Sequence, residues 1–279
     1  VTYVGRFAPS PTGPLHLGSL VTAVASFLHA RAHRGEWLVR IEDIDPPREM
    51  PGAADAILRT LEAFELHWDR TVLFQSTRFD AYRAAADRLL AAGLAFHCRC
   101  SRSEIRAAND GDSARYPGTC RDRGLPPGDA AVRVRVDEAV VRVSDGLQGV
   151  RDVDLAATLG DYVIVRRDGL PAYHLAVVLD DAEQGVTTIV RGADLLDSTA
   201  AHVHLQHVLG LATPGYYHLP VLVNAAGQKL SKQTGAAAVD ARDGGTAARV
   251  LELLGLRVPG ELAGERPGTL WQWAAARWD

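Results

Sequence analysis

The stretch RFAPSPTGPLHLGS, from Arg6 to Ser19, holds the residue types that receive a phosphate. It leaves a short apolar run, crosses a Pro/Gly-rich loop and enters a segment of helical periodicity. Ligands of open α/β sheets collect beyond the carboxyl ends of the strands, and a helix N-terminus there offers unpaired backbone N–H groups to an anion. Gly18 has no side chain, so a flat base or a phosphate can approach the backbone. His16 can donate a hydrogen bond to an α-phosphate as charge moves onto its oxygens. An isolated HxG is more often structural; PSPTG before it and a helix behind it favour function. A second candidate is GQKLSKQTG, with Lys229 and Lys232. Of the 30 lysines plus arginines these are the only lysines, so a compact ammonium was placed here and a planar fork everywhere else. Two such groups on a glycine-flanked loop can close over a triphosphate and neutralise departing pyrophosphate; an exposed turn with two surface lysines is the plain alternative. The third candidate is Cys98, Cys100 and Cys120, which are all the cysteines of the chain. Three thiolates so grouped suit a tetrahedral zinc of structural type, whose fourth ligand must come from another residue type. His97 and Tyr116 are the nearest candidates, His97 being the more usual ligand, and buried free thiols are the alternative.

These residues need a scaffold, and the periodicity supplies one. Residues 3–8 read as a strand, and apolar residues from Leu17 to Leu28 recur at helical spacing, so a helix runs to about Arg34 and stops at Gly35. WLVRIED (37–43) reads as a buried strand, 52–66 as a helix, 72–74 as a short strand and 78–92 as a helix. This alternation predicts an α/β fold, a parallel sheet with helices on both faces. The pattern breaks near Cys98. AVRVRV (131–136) and VVRV (140–143) alternate as half-exposed antiparallel strands, so 94–160 reads as an insertion. YVIVRR (162–167) resumes the α/β pattern, followed by TTIVRG (187–192), a helix near 198–209 and a last strand at 217–224. Helices are expected near 245–254 and 269–277. The corresponding division is 1–93 and 161–235 for two α/β halves, 94–160 for the insertion and 236–279 for a short helical C-terminal segment.

Composition bounds the rest. Apolar residues make up 47% and charged residues 23%, an ordinary globular balance. Neither a membrane-length apolar run nor a signal peptide is visible. Three cysteines cannot form a full disulfide set, which points to a reducing, cytoplasmic setting. The net charge of -4 carries no global signal for nucleic acid. The arginines Arg99, Arg102, Arg106, Arg115, Arg121, Arg123, Arg133 and Arg135 are interspersed with acids and read equally as a solvated surface or an RNA-facing one.

PSPTGPLHLGS resembles the first signature of the class I aminoacyl-tRNA synthetases, and KLSK resembles their second. Between them RIEDID (40–45), PAYHLAVVLDD (171–181) and IVRGADLL (189–196) are similar to the glutamyl branch, in the right order over roughly residues 3–235. The resemblance implies a Rossmann-like sheet with an inserted zinc-bearing α+β subdomain. It implies His16, Lys229 and Lys232 as catalytic groups, and Pro9, His16, Gly18, Ser19 and Lys232 against ATP, with Mg2+ on the triphosphate. Glutamate has two carboxylates and one ammonium, so its pocket needs cationic forks and an acid. The resemblance assigns Arg6 and Arg191 as the forks, leaving open which takes which carboxylate. It assigns Glu42 as the acid and Tyr173 as a hydroxyl and aromatic wall, with Phe7, Ala8, Pro9 and Ser10 lining the pocket. Two positions depart from the full-length pattern: Ser19 where histidine is frequent, and Val177 where asparagine is usual.

Only Gln233 to Asp279 follow the second signature, too few for an anticodon-reading domain. Together with CxC…YxxxC, which favours Tyr116 as the fourth zinc ligand beside Cys98, Cys100 and Cys120, this resembles the glutamyl-queuosine tRNA(Asp) synthetases. That family activates L-glutamate with ATP and esterifies it to queuosine in the anticodon of tRNA(Asp). A monomeric enzyme without membrane contact is the matching expectation. A minimal glutamyl enzyme charging a tRNA 3′ end, another HxGH-type nucleotidyltransferase and a non-catalytic RNA-binding paralogue are the alternatives.

Overall fold

The computed structural model describes residues 2–109, 115–137, 140–222, 238–240, 243 and 245–278. Lys229 and Lys232 lie outside the described residues. Strand β1 (Val4–Phe7) leads through the signature loop into helix α1 (Leu17–Ala32), then β2 (Glu36–Ile41), α2 (Ala53–Ala63), β3 (Leu73–Phe74) and α3 (Phe79–Ala91). The three strands are parallel in the order β1-β2-β3, with Arg6 opposite Leu38 and Arg40 opposite Leu73. Alternation on β2 explains its double burial: Trp37, Val39 and Ile41 enter one core, while Leu38 enters the other. Helix α1 turns its chain at Arg34 in the left-handed region (φ 53°), one residue before the expected stop.

The next strands are β4 (Ala95–Cys98), β5 (Ala131–Val134), β6 (Val140–Asp145), β7 (Gly149–Asp154) and β8 (Val163–Val165), with short helices α4 (Arg102–Ala107) and α5 (Leu155–Thr158) among them. Helix α6 (Tyr173–Glu183), β9 (Thr188–Gly192), α7 (Leu196–Val208) and β10 (Gly215–Leu219) follow. Two strands pair otherwise than their patterns suggest. β8 does not rejoin a parallel sheet; it runs antiparallel to β5 in the sheet β4-β5-β8. The β6–β7 hairpin instead joins the sheet β7-β6-β10-β9, where Tyr216 of β10 bridges Asp145 of β6 in parallel. Alternation in sequence reveals which face a strand buries, not which neighbour its edge finds. The last strand is also displaced, running 215–219 and stopping at Pro220 where 217–224 was expected.

β9 lies against β1, with Thr187 N–H donating to the Val4 carbonyl (2.9 Å). The two parallel units thus meet where the strand order reverses, the position where doubly wound sheets open a crevice. Helices α8 (Thr246–Leu253) and α9 (Pro267–Ala275) pack on α1 through Val250, Leu251, Leu270 and Trp271. The Trp271 indole N–H donates to the Phe64 carbonyl (2.7 Å), fixing α9 to the end of α2. α1 is therefore covered by the sheet on one side and the C-terminal helices on the other, and Leu20 through Ala30 are nearly all buried. Among the described residues no helix is long and apolar enough to cross a membrane.

Candidate active site

A cleft of about 500 Å³ opens at the carboxyl ends of β1, β9 and β10. Its walls include Arg6, Phe7, Ala8, Pro9, Ser10, His16, Gly18, Ser19, Glu42, Tyr173 and Arg191, so the two halves of the fold contribute jointly. Thr12, Thr22, Asp194 and Leu219 to Leu222 line it as well, and residue periodicity gave no sign of them.

At the signature loop His16 is the N-cap of α1. Its Nδ1 accepts the Ser19 backbone N–H (3.3 Å), and its Nε2 lies 3.0 Å from Ser19 Oγ. An amide can only donate, so Nδ1 is unprotonated and the neutral ring carries its hydrogen on Nε2. That N–H lies at the helix N-terminus within hydrogen-bond distance of Ser19 Oγ. Ala238 bridges His16 and Val239 N–H donates to the Leu15 carbonyl (3.0 Å). The described chain beyond the second lysine segment is thus tied to the first signature, and Leu222, before that segment, lines the same cleft.

The amino-acid end of the cleft is built on buried charge. Arg6 Nε donates to Asp181 Oδ1 (3.1 Å), and Arg40 Nη1 donates to the same oxygen (2.7 Å) and to Gln184 Oε1 (2.9 Å). Arg40 Nη2 reaches Glu42 Oε1 at 3.4 Å. Arg40 is 0% and Asp181 2% exposed. Neither appeared among the candidate residues, although the signal was present: an arginine inside WLVRI and acids inside VVLDD are charges within runs buried on both faces, which must be paired. Burial raises the Asp181 pKa, but Arg40 and Arg6 more than reverse it, and the carboxyl is held below the usual range. For Glu42 burial prevails over the attraction of Arg40 and Arg6, and its pKa is raised. A cationic ligand group beside Glu42 would relieve that penalty. Among the described residues Arg6 donates through Nε, and its side chain lines the cleft.

Arg191, on β9, is 4% exposed and has neutral acceptors only among the described residues. Nε donates to His218 Nε2 (2.9 Å), and Nη2 to Thr199 Oγ1 (2.8 Å) and the Leu195 carbonyl (3.2 Å). Nη1 has the two longest contacts, 3.4 Å each, to the Tyr173 hydroxyl and to His202 Nδ1. A buried guanidinium without a carboxylate partner favours an anion beside it, and Nη1 is the end that one could take over. Val177 is buried in α6 and does not reach the cleft wall.

The three thiols form a separate cluster, their sulfurs within 4.8 Å of one another. The Tyr116 hydroxyl sits among them, 3.4 Å from Cys98 Sγ and 3.9 Å from Cys100 Sγ, and accepts the Cys120 backbone N–H (2.7 Å). His97 precedes Cys98 on β4, so it points to the opposite face of the strand, and it does not belong to the group. Three clustered thiols, with a phenolic oxygen beside two of them, are a donor set of the kind a structural zinc takes. Of the surrounding arginines Arg121 pairs with Asp137, Arg135 Nη1 donates to Asp122 Oδ1 (3.1 Å), and Arg133 lies over the Tyr116 ring at 4.0 Å.

The family model for tRNA synthetases class I (E and Q), catalytic domain, matches residues 3–247. A glutamyl-Q tRNA(Asp) synthetase of Aromatoleum aromaticum is 55% identical over 281 residues, covering 99% of this chain and 89% of that protein. One of Chromobacterium violaceum is 57% identical, covering 99% and 93%. Among solved structures, a glutamate-tRNA synthetase from Elizabethkingia anophelis superposes with a TM-score of 0.75 at 30% identity over 84% of this chain, which spans about half (53%) of that synthetase. The match of the catalytic-domain model and the near full-length identity place the chain in the class I tRNA synthetases for E and Q, within the family of the glutamyl-Q tRNA(Asp) synthetases.

Proposed function

We propose that the protein condenses L-glutamate with ATP to glutamyl-adenylate and passes the glutamyl group to queuosine in the anticodon of tRNA(Asp). One observation carries the amino-acid half: two buried guanidiniums and one carboxylate with a raised pKa, Arg6, Arg191 and Glu42, face one cleft beside the α1 N-terminus. The set is complementary to two carboxylates and an ammonium. Tyr173, whose hydroxyl contacts Arg191, closes the wall, and Phe7 to Ser10 supply backbone and side chains along the strand end. The acceptor half rests on the 55–57% identity to proteins bearing that name.

In the first step an oxygen of the glutamate α-carboxylate attacks the ATP α-phosphorus, and the bond to the β-phosphate oxygen breaks, releasing pyrophosphate. Charge builds on the α-phosphate oxygens, where the His16 Nε2 hydrogen and the N-terminal amides of α1 donate. Gly18 and Ser19 shape the approach of the nucleotide, with Pro9 on its other side. Lys229 and Lys232 are assigned to the leaving pyrophosphate. In the second step a hydroxyl of the queuosine cyclopentenediol attacks the carbonyl carbon, its proton leaves, and AMP departs. Mg2+ bound with the triphosphate would supply further charge neutralisation there. Zinc would be held by Cys98, Cys100, Cys120 and Tyr116 and would order the insertion without entering the reaction.

The decisive experiment charges purified tRNAs with labelled glutamate, with and without queuosine, and then digests the product. Label on the anticodon fragment of queuosine-containing tRNA(Asp) is the expected result. Label on the terminal adenosine of tRNA(Glu) would instead make this an ordinary glutamyl enzyme. Absence of glutamate-dependent ATP–pyrophosphate exchange would refute the activation step.

A further inference from the structure

Behind Arg191, away from the cleft, stands a chain of buried groups that contacts no part of the proposed substrate volume. His218, on β10, is 0% exposed and accepts Arg191 Nε–H at Nε2 (2.9 Å). Its Nδ1 lies 2.6 Å from Asp145 Oδ2 at the end of β6. The other oxygen of Asp145 is fully engaged: Oδ1 accepts the backbone N–H groups of Leu147 (2.9 Å), Gln148 (2.8 Å) and His218 (3.2 Å). The proton inventory is determined by these partners. Arg191 Nε is always a donor, so Nε2 must be a lone pair. The imidazole hydrogen is therefore on Nδ1 and points to a carboxylate that only accepts.

We infer that Asp145 and His218 are positioning residues for amino-acid binding: they hold the Arg191 fork in its plane through a single permitted imidazole tautomer. The inference rests on the reading of Arg191 as a glutamate contact. It also assigns a task to the β6–β7 hairpin, whose pairing with β10 brings Asp145 to this place. The groups facing His218 are Asp145 from β6, Arg191 from β9, Thr199 from α7, Tyr216 stacked from its own strand and, at longer range, Arg6 from β1. Burial lowers the His218 pKa, Asp145 opposes this and Arg191 adds to it, with a net decrease that keeps the ring neutral, as the tautomer requires.

Asp145→Asn is nearly isosteric and tests the tautomer itself. The three backbone N–H groups retain the amide oxygen at the Oδ1 position, so the amide NH2 faces Nδ1. Nδ1 must then accept, the ring hydrogen moves to Nε2, and two donors oppose each other at Arg191. His218→Gln keeps an acceptor near the Nε2 position without depending on Asp145. Glutamate-dependent ATP–pyrophosphate exchange is measured for the parent, both single variants and the double variant, varying glutamate and ATP separately. Asp145→Asn is expected to raise the glutamate KM by about tenfold to a hundredfold, the loss of a charge-assisted hydrogen bond, with the ATP KM little changed. His218→Gln gives a smaller rise, and adding Asp145→Asn to it gives no further rise, since the two act through one ring. A glutamate KM unchanged in Asp145→Asn overturns the inference. So does an equal added penalty when Asp145→Asn is combined with His218→Gln, or a matched rise in both KM values, which would indicate general disorder. A parent that shows no glutamate-dependent exchange refutes the underlying function and this role together, and is distinguished from the other results by the parent alone.

Discussion

Asp181 holds two buried guanidiniums with one oxygen, and Asp181→Asn removes its charge while preserving its shape. At about 3 Å and an effective dielectric near 20, each contact represents roughly 5 kcal/mol of gross attraction. Desolvation offsets most of this, and the cost of leaving a buried charge without its partner is about 3–5 kcal/mol. The asparagine carbonyl still accepts from Arg6 and Arg40 as a neutral group, so the lower end, about 3 kcal/mol, is expected. For a chain of this size that lowers the melting temperature by about 6–12 °C. Arg40→Met in the same background removes one of the stranded cations and is expected to recover part of the loss. The pH dependence has a definite sign. The folded Asp181 pKa lies below its unfolded value, so its contribution is fully present above the unfolded value and is lost as pH falls through the folded one. Parent and variant should therefore begin to converge as pH falls below about 4 and coincide only below the folded pKa. The assay is thermal unfolding followed by circular dichroism between neutral and acid pH, with glutamate-dependent exchange at neutral pH. Because Arg6 loses its tether, the glutamate KM should rise as well. A variant melting within about 2 °C of the parent, with an unchanged glutamate KM, would refute the reasoning.

Three further outcomes are expected. Glu42 has its pKa raised by burial against the pull of Arg40 and Arg6, so glutamate affinity should weaken on acidification, beginning above the usual carboxylate range, and Glu42→Gln should bind weakly at all pH values with that dependence gone; calorimetric titration with glutamate measures both. Metal analysis of the purified protein should find about one zinc per chain, with Cys98→Ser or Cys120→Ser releasing it and loosening the β4-β5-β8 sheet more than the parallel core. Lys232→Ala should reduce glutamate-dependent pyrophosphate exchange by ~10²–10³ while circular dichroism shows an intact fold; unchanged exchange would remove Lys232 from the mechanism.

Much of the scaffold was legible because it is local. The apolar period of α1, the alternation of β2 and the Pro/Gly loop between strand and helix depend on neighbouring residues, and they marked the loop that lines one side of the cleft. The thiol cluster was legible from residue type and spacing. By residues alone the fourth donor remained between His97 and Tyr116. The strand pleat separates them, since adjacent residues on β4 face opposite ways and only Tyr116 is brought to the sulfurs. Strand partners were not legible. β8 turned to β5 and β6 reached β10 because edges are chosen by long-range pairing, in which the two strands are distant in sequence. The same pairing explains why Asp145 and His218 carried no signal: each is an ordinary polar residue in its own segment, and they meet only where β6, β9 and β10 are packed together. The sequence by itself determined the chemical groups available to the cleft. Tertiary structure decided which of them are held by buried partners and which keep free donors, because a hydrogen bond between residues 73 to 175 positions apart has no local signature.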